Sequence, residues 1–357
     1  MKRLIATISI LSIVLYAGEN YQNELKVQPY GFFKLDMSYN SDLISTGNFA
    51  RWAIPNSEDA IPTTHITANE SRFGFLLSKG EISGKLEVDL YGVGGGENKP
   101  GFMVRKAYVQ AKLPHVTIRA GQDSDIISPL VPATINYTVA WWAGDIGYRR
   151  PMLKLFNTFN NFGWTVGIAR NIGGDINGDG FDDGAAAVIP EFQGRLTHKI
   201  FKNHTIGISG HYAVRDTLGN DGKYTAWSSG IDISSNFGDN LTINGSFYVG
   251  SNTASMLGGI GNASTMDGVN SQGGWINLKY NSDSKYRIST GAVFDDPCDE
   301  DLLNGARSKN LTVFANIYYD LIQNFLIGFE FSSWTTEYKN MDTASALRGQ
   351  LAFLYKF

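Results

Sequence analysis

Polarity along this chain alternates with a period of two. In residues 30–39 (YGFFKLDMSY), Phe33, Leu35, Met37 and Tyr39 share one face, and Lys34, Asp36 and Ser38 share the other. Residues 84–91 set Leu86, Val88 and Leu90 against Lys85, Glu87 and Asp89, and residues 205–212 set Ile206 and Ile208 against Ser209 and His211. Residues 324–332 set Phe325, Ile327, Phe329 and Phe331 against Glu330. Successive side chains of a strand point to opposite faces, so each segment is a strand with one apolar and one polar face.

A soluble sandwich would alternate in the same way. The spacing between segments separates the two cases. About sixteen segments of roughly 9 to 13 residues can be laid out, starting near residues 27, 70, 82, 101, 115, 146, 162, 188, 203, 223, 239, 272, 285, 308, 323 and 345. Short connections fall at 79–81, 113–115, 237–240 and 281–285, and long ones at 41–69, 122–145, 171–188, 251–271 and 295–308. Strict short–long alternation is the pattern of an outer-membrane barrel with an even number of strands, short periplasmic turns and long external loops. In hydrocarbon every backbone polar group must be paired within the protein, so such a sheet has to close. The expected fold is therefore all-β: a transmembrane, antiparallel, up-and-down barrel of about sixteen strands, occupying residues 18–357 as one domain in the outer membrane of a Gram-negative-type cell.

The two ends of the chain fit this reading. Residues 1–17 (MKRLIATISILSIVLYA) have a basic start, an apolar stretch and a small residue for cleavage, which reads as a secretory signal peptide. The alternative is an N-terminal anchor, for which the apolar run is short. Residues 347–357 (LRGQLAFLYKF) place Leu347, Gly349, Leu351, Phe353, Tyr355 and Phe357 on one face. Phe357 is expected to face lipid at the level of an aromatic girdle, and an alternating aromatic terminus of this kind resembles the end signal read by barrel insertion machinery. An aromatic edge strand of a soluble sheet would instead invite aggregation.

Composition removes several function classes. Without Lys2 and Arg3, 28 basic residues face 34 acidic ones. That balance argues against a nucleic-acid partner, which needs concentrated positive charge. Cys298 is the single cysteine, so neither an internal disulfide nor a cysteine-based metal cage is available. A hydrolase needs a nucleophile, a base and an orienting group. Of the five histidines only His211 reads as a wall residue, with Ser209 on its face, and the expectation is no enzyme.

Three stretches carry a family resemblance: residues 119–155 (RAGQDSDIISPLVPATINYTVAWWAGDIGYRRPMLKL), 291–310 (GAVFDDPCDEDLLNGARSKN) and 71–78 (SRFGFLLS). In that order they resemble the DcaP-like outer-membrane porins over most of the chain, with departures at Cys298 and Met152. The resemblance implies a homotrimer of sixteen-stranded barrels embedded in outer-membrane lipid, passing small hydrophilic and mostly anionic, dicarboxylate-like solutes by diffusion. It also implies that the loop 122–145 folds inward and narrows the lumen, where Pro129 and Pro132 would stiffen it, Trp141 and Trp142 would pack, and Asp123, Asp125 and Asp145 would supply negative charge. Two other readings stay open: a plugged structural or adhesive barrel, and an outer-membrane hydrolase. The loop itself could instead lie over the mouth.

Alternation also assigns side chains to the lumen. With their neighbours facing lipid, Arg72, Lys106, Arg119, Arg150 and Lys154 face inward, where they are expected to form a cationic neck favouring anions. Lys34 and Arg195 are further inward cations, and Asp36, Glu87, Asp89 and Glu191 are inward carboxylates. No cofactor is required. A calcium loop is the one cofactor expectation: in residues 175–184 (DINGDGFDDG), Asp175, Asn177, Asp179, the Phe181 carbonyl and Asp183 follow the first part of a calcium-binding pattern. Ala186 stands where that pattern has its bidentate glutamate, so the alternative is a plain acidic external loop. The acidic run Asp295, Asp296, Asp299, Glu300 and Asp301 is a weaker site of the same kind.

Overall fold

The structure is a computed structural model that describes residues 24–45, 47–56, 59–92, 99–218, 222–265, 268–282 and 285–357. The signal-peptide reading of residues 1–17 lies outside the described residues. The strands are β1 (Lys26–Asn40), β2 (Thr63–Thr67), β3 (Arg72–Lys79), β4 (Ile82–Asp89), β5 (Met103–Lys112), β6 (Thr117–Ser124), β7 (Arg149–Phe159), β8 (Phe162–Ala169) and β9 (Glu191–Ile200). They continue as β10 (His204–Asp216), β11 (Lys223–Phe237), β12 (Leu241–Ser251), β13 (Asn270–Asn281), β14 (Tyr286–Pro297), β15 (Arg307–Ile322), β16 (Phe325–Tyr338) and β17 (Met341–Lys356). All neighbouring pairs are antiparallel, and β1 pairs with β17, which closes the sheet. β2 and β3 both pair with β1 end to end, so the seventeen strands make sixteen staves.

The break between β2 and β3 is a local insertion. Asp36 opposes Thr67 and Phe32 opposes Arg72, so three residues of β1 face four of the partner stave. The Ser71 hydroxyl repairs the ladder there, accepting the Lys34 amide at 3.0 Å and donating to the Lys34 carbonyl at 3.3 Å. At the closure, the ladder runs past the last strand residue. Phe357 and Gly31 exchange both backbone hydrogen bonds, at 3.1 and 3.2 Å. A Cβ on Gly31 would collide with the Arg72 carbonyl and the Phe357 ring, so the close approach of three staves requires glycine here.

The two faces separate as the alternation expects. Phe33, Leu35, Met37 and Tyr39 are exposed on the outside of β1, while Lys34, Asp36, Ser38 and Asn40 are buried inside. β16 repeats the pattern, with Phe329 and Phe331 outside and Glu330 and Ser332 inside. Phe357 lies in the outer aromatic set, its ring centroid 5.4 Å from that of Phe33 and 6.4 Å from that of Phe73. An apolar outer wall around a closed, fully paired sheet is a membrane-spanning architecture. Among the described residues no helix is long and apolar enough to cross a membrane.

One feature of the alternation does not hold. The last connection on the long-loop side is a tight turn, Lys339 and Asn340, with Asn340 in the left-handed region at φ 58°. Asparagine tolerates that conformation, and it removes the need for a loop between β16 and β17. Replacing Phe331 with arginine, on the outer face near the middle of β16, is expected to lower folding stability in lipid vesicles by about 2–4 kcal/mol if the site sits at the bilayer midplane. Phe331→Leu should cost far less, and equal costs for the two variants would contradict a lipid-facing position.

Candidate functional site

The connection between β6 and β7 crosses the inside of the barrel. Its middle is tied to staves on the far side of the ring. The Ile135 and Asn136 amides donate to the two Glu330 carboxylate oxygens at 2.6 and 3.3 Å. The Ile135 carbonyl accepts from Lys34 Nζ at 2.9 Å and from Gln350 Nε2 at 3.4 Å. The Ala133 amide donates to Asn277 Oδ1 at 3.0 Å, and Asn316 Nδ2 donates to the Ala133 carbonyl at 2.7 Å. Lys34 is itself held by Asp36 at 3.2 Å and Glu70 at 2.5 Å. Strands β1, β13, β15, β16 and β17 therefore each contribute a side chain to one short segment of main chain.

An apolar seat completes the attachment. Ala140 and Ala143 pack on Trp275, Val293 and Phe314, which are inward residues of β13, β14 and β15. Gly144 has φ +117°, and a Cβ there would strike the carbonyls of Gly274 and Phe294. Next to it the Asp145 carboxylate accepts from Trp275 Nε1 at 3.0 Å. Burial pushes the Asp145 carboxyl well above the usual carboxylate range, and this one hydrogen bond offsets the effect only in part. The connection between β12 and β13 folds into the same space. Its Leu257 and Met256 carbonyls accept from the Trp142 and Gly147 amides at 2.7 and 2.6 Å.

Along β3 to β7 the wall is basic. Lys106, Arg119 and Lys154 converge on one carboxylate, Asp123, at 2.5, 2.6 and 3.0 Å. The loop was expected to begin at residue 122. Strand β6 runs on to Ser124, so Asp123 belongs to the wall and not to the loop. Beside this group, Arg72, Lys85 and Arg105 approach Glu87 at 3.8, 3.2 and 3.0 Å. Arg105 also reaches Asp89 at 2.6 Å and the Tyr137 hydroxyl of the inner loop at 2.9 Å. In all, among the described residues six cations face three carboxylates, and the cationic side chains keep between 9% and 25% of their surface open.

Of the five cations expected at a neck, Lys106, Arg119 and Lys154 are brought together, Arg72 stands in the neighbouring group, and Arg150 is elsewhere. Arg150 is completely buried between Asp125 and Glu191, each 2.8 Å away, and also contacts Met256 Sδ. Asp125 is spent on that pair, on Gln193 Nε2 and on the Tyr148 amide. Both residues were expected to line the pore, yet they form a sealed structural contact. Lys34 is likewise sealed into the loop attachment, and Arg195 is paired with Asp232 at 2.6 Å.

Alternation alone misses Arg105, because it neighbours Lys106 and the two should point to opposite faces. A β-bulge lets both face inward: Glu87 opposes Lys106, but Val88 opposes Val104. The sequence offers no marker for this bulge beyond two adjacent cations in an otherwise alternating strand.

The other expected sites behave differently. In the 175–184 loop, Asp175 accepts the Gly178, Asp179 and Gly180 amides at 2.8, 3.0 and 2.9 Å, and Asn177 contacts Asp179 and the Thr217 carbonyl. The Phe181 amide donates to Asp179 at 2.9 Å. Asp183 starts the short helix α1 (Asp183–Ala186) and turns inward, accepting from the Tyr224 hydroxyl at 2.7 Å. Among the described residues no three His, Cys, Asp or Glu side chains stand together as a metal-binding set. In the second acidic run, Asp295 bonds the Tyr248 hydroxyl at 2.8 Å and Asp301 bonds Asn270 at 2.9 Å, so the run is divided between two faces. His211 meets Ser228 of the next strand at 2.6 Å, not Ser209, and both partners are buried.

No family model and no curated protein matches this chain. Among solved structures it is similar to the outer membrane channel DcaP of Acinetobacter baumannii, with a TM-score of 0.79 and 15% identity over 96% of this chain and 100% of that one. It is also similar to an anion-selective porin from Comamonas acidovorans, with a TM-score of 0.63 and 13% identity over 94% of this chain and 100% of that one. A third similar structure is Salmonella typhi OmpF in complex with daunomycin, with a TM-score of 0.63 and 14% identity over 95% and 99%. At these identities the likeness is one of fold, and the chain has the closed sixteen-stave porin fold.

Two measurements test the loop attachment. Glu330→Ala removes a charged acceptor from two amides, a loss of about 1.5–3 kcal/mol per charged hydrogen bond. The Ile135 and Asn136 amides should lose hydrogen-exchange protection while the strand amides keep theirs. For Asp145 the folded state holds the proton more tightly than the unfolded chain. Its favourable contribution is therefore present at low pH and is lost as pH rises above the unfolded carboxylate value of about 3.9. Loop protection should fall with rising pH in the native protein, and Asp145→Asn should flatten that dependence.

Proposed function

We propose that this chain is a passive diffusion channel of the outer membrane and that its conduit follows the basic wall of β3 to β7. The solutes are small, hydrophilic and anionic, with dicarboxylate-like molecules the best fit. The inner loop narrows the conduit and leaves the basic wall as one of its sides. The single observation that carries this reading is the charge imbalance of that wall: six partly open cations against three carboxylates. A concentration of one sign along a low-dielectric passage raises the local concentration of the opposite ion. Arg150 contributes nothing to this field at close range, because it is sealed against two carboxylates.

The overall likeness to porins supports the channel, and a porin among the similar structures is described as anion-selective. One of the similar structures, OmpT of Vibrio cholerae, is described in a trimer form. We propose the same assembly here, with insertion guided by the Phe357 terminus. Passive diffusion needs no cofactor, and calcium binding at Asp175, Asn177, Asp179 and the Phe181 carbonyl would concern the external loop alone.

The variant Lys106→Gln/Arg119→Gln/Lys154→Gln should shift the reversal potential in a KCl gradient toward cation preference, with Asp123 left as the local charge. Arg150→Gln should leave selectivity in place and instead lower stability by about 3–5 kcal/mol, since Asp125 and Glu191 would remain buried without their cation. An unchanged reversal potential in the triple variant would contradict the basic conduit.

A further inference from the structure

A second basic group lies at the opposite end of the barrel from the loops and on different staves. Strands β14, β15, β16 and β17 end there around a cavity of about 390 Å³, lined by Lys285, Arg287, Asp320, Asn324, Leu326 and Lys356 among others. The alternation places Arg287, Lys356 and Asp320 of this lining on the inner face. Arg287 is in step with buried Ser289 and out of step with Ile288, which is 45% exposed on the outer wall. Lys356 is in step with buried Leu354 and Gln350, and Asp320 with buried Asn316. Leu326, also buried, is part of the lining.

Among the described residues, three cations and one carboxylate line this cavity. Asp320 takes one bond from Arg287 Nη2 at 2.6 Å. Among the described residues neither Lys285 nor Lys356 has a carboxylate within 4 Å; the Lys285 ammonium lies 5.9 Å from the centre of the Tyr319 ring, which stacks with Tyr286 on the outer wall, so Lys285 stands at the rim of the cavity. The backbone holds the group in place. The Asp320 amide donates to the Lys285 carbonyl at 2.9 Å and the Lys356 amide to the Asn324 carbonyl at 2.9 Å, so two turns and the final strand are locked to one another. The volume lies within the range that small ligands occupy, about 300–1,000 Å³. An excess of ammonium and guanidinium donors around it selects oxyanions.

We propose that Arg287 and Lys356, with Lys285 at the rim, form an anion-holding station at the turn-side mouth, taking small carboxylate- or phosphate-bearing solutes. Dissolved phosphate and a lipid headgroup share this chemistry, and block of the current by phosphate added to the bath identifies the soluble source. A physiological role for the station rests on the diffusion-channel reading, since solutes must traverse the lumen to meet it. Binding itself does not. A station at this end shortens the stretch in which an anion that has left the β3 to β7 wall is without a counter-charge, and it gives the passage two separate holding points.

Inorganic phosphate is the probe. Added only to the turn-side compartment of a planar bilayer, it should reduce chloride current in the native protein. In Lys285→Gln/Lys356→Gln the concentration needed should rise by about tenfold, from two solvent-screened charge contacts of about threefold each. Arg119→Gln/Lys154→Gln, altered at the wall, should keep the turn-side sensitivity. Unchanged sensitivity in the turn-side variant would overturn the station. If the native protein does not conduct, phosphorus-31 line broadening on the same folded proteins decides: broadening lost in the turn-side variant upholds the station without the channel, and equal broadening in both overturns it. Should the double variant fail to fold, Lys356→Gln alone, next to the last residue of the chain, should give about a threefold change.

Discussion

Everything in this structure follows from the demand that each backbone amide and carbonyl be paired inside the protein. Hydrocarbon supplies no hydrogen bonds, so an open edge is not permitted and the first and last strands must meet. The ladder from Phe32–Lys356 to Asn40–Arg348, extended by the Gly31–Phe357 pair, satisfies that demand. Closure then divides every strand into an outer row that meets lipid and an inner row that meets the lumen. The polar residues have one place to go, and so the interior of this barrel is where chemistry accumulates.

That interior is not a uniform solvated wall. Much of its charge is consumed in holding the two inner connections. Lys34, Glu330, Asn277, Asn316 and Gln350 clamp main-chain groups of the loop between β6 and β7, while Arg150, Asp125 and Glu191 form a sealed triad at its base. Buried charge of this kind survives only when it is paired and hydrogen-bonded. The cations of β3 to β7 differ because their carboxylates are outnumbered and their side chains remain partly open. The distinction between sealed and partly open charge is therefore one of local pairing, not of which way a strand residue points.

Strand number and facing were legible in the sequence because both are properties of single segments. Lys34, Asp36, Arg119 and Lys154 point inward as their alternation requires, and the starts of β4, β8 and β11 fall at residues 82, 162 and 223 as expected. What was not legible depends on partners far away in the chain. Arg150 reads as pore-lining until Glu191, 41 residues on, is folded against it. Arg105 reads as outward until a bulge on β5 turns it in. The inward apolar residues Trp275, Val293 and Phe314 look like interruptions of a polar face, and they are the seat for Ala140 and Ala143. The tight Lys339–Asn340 turn breaks a loop-length rule that has no energetic force of its own.

A lumen whose open charge is basic would govern which ions pass. The most direct measurement is the reversal potential of the native protein in a planar bilayer under a KCl gradient, recorded from single insertion events. A trimer of basic conduits predicts stepwise conductance in groups of three and a reversal potential of the sign set by chloride permeation. A reversal potential of the opposite sign would contradict the basic conduit while leaving the channel, and a folded barrel that carries no current would contradict the channel itself.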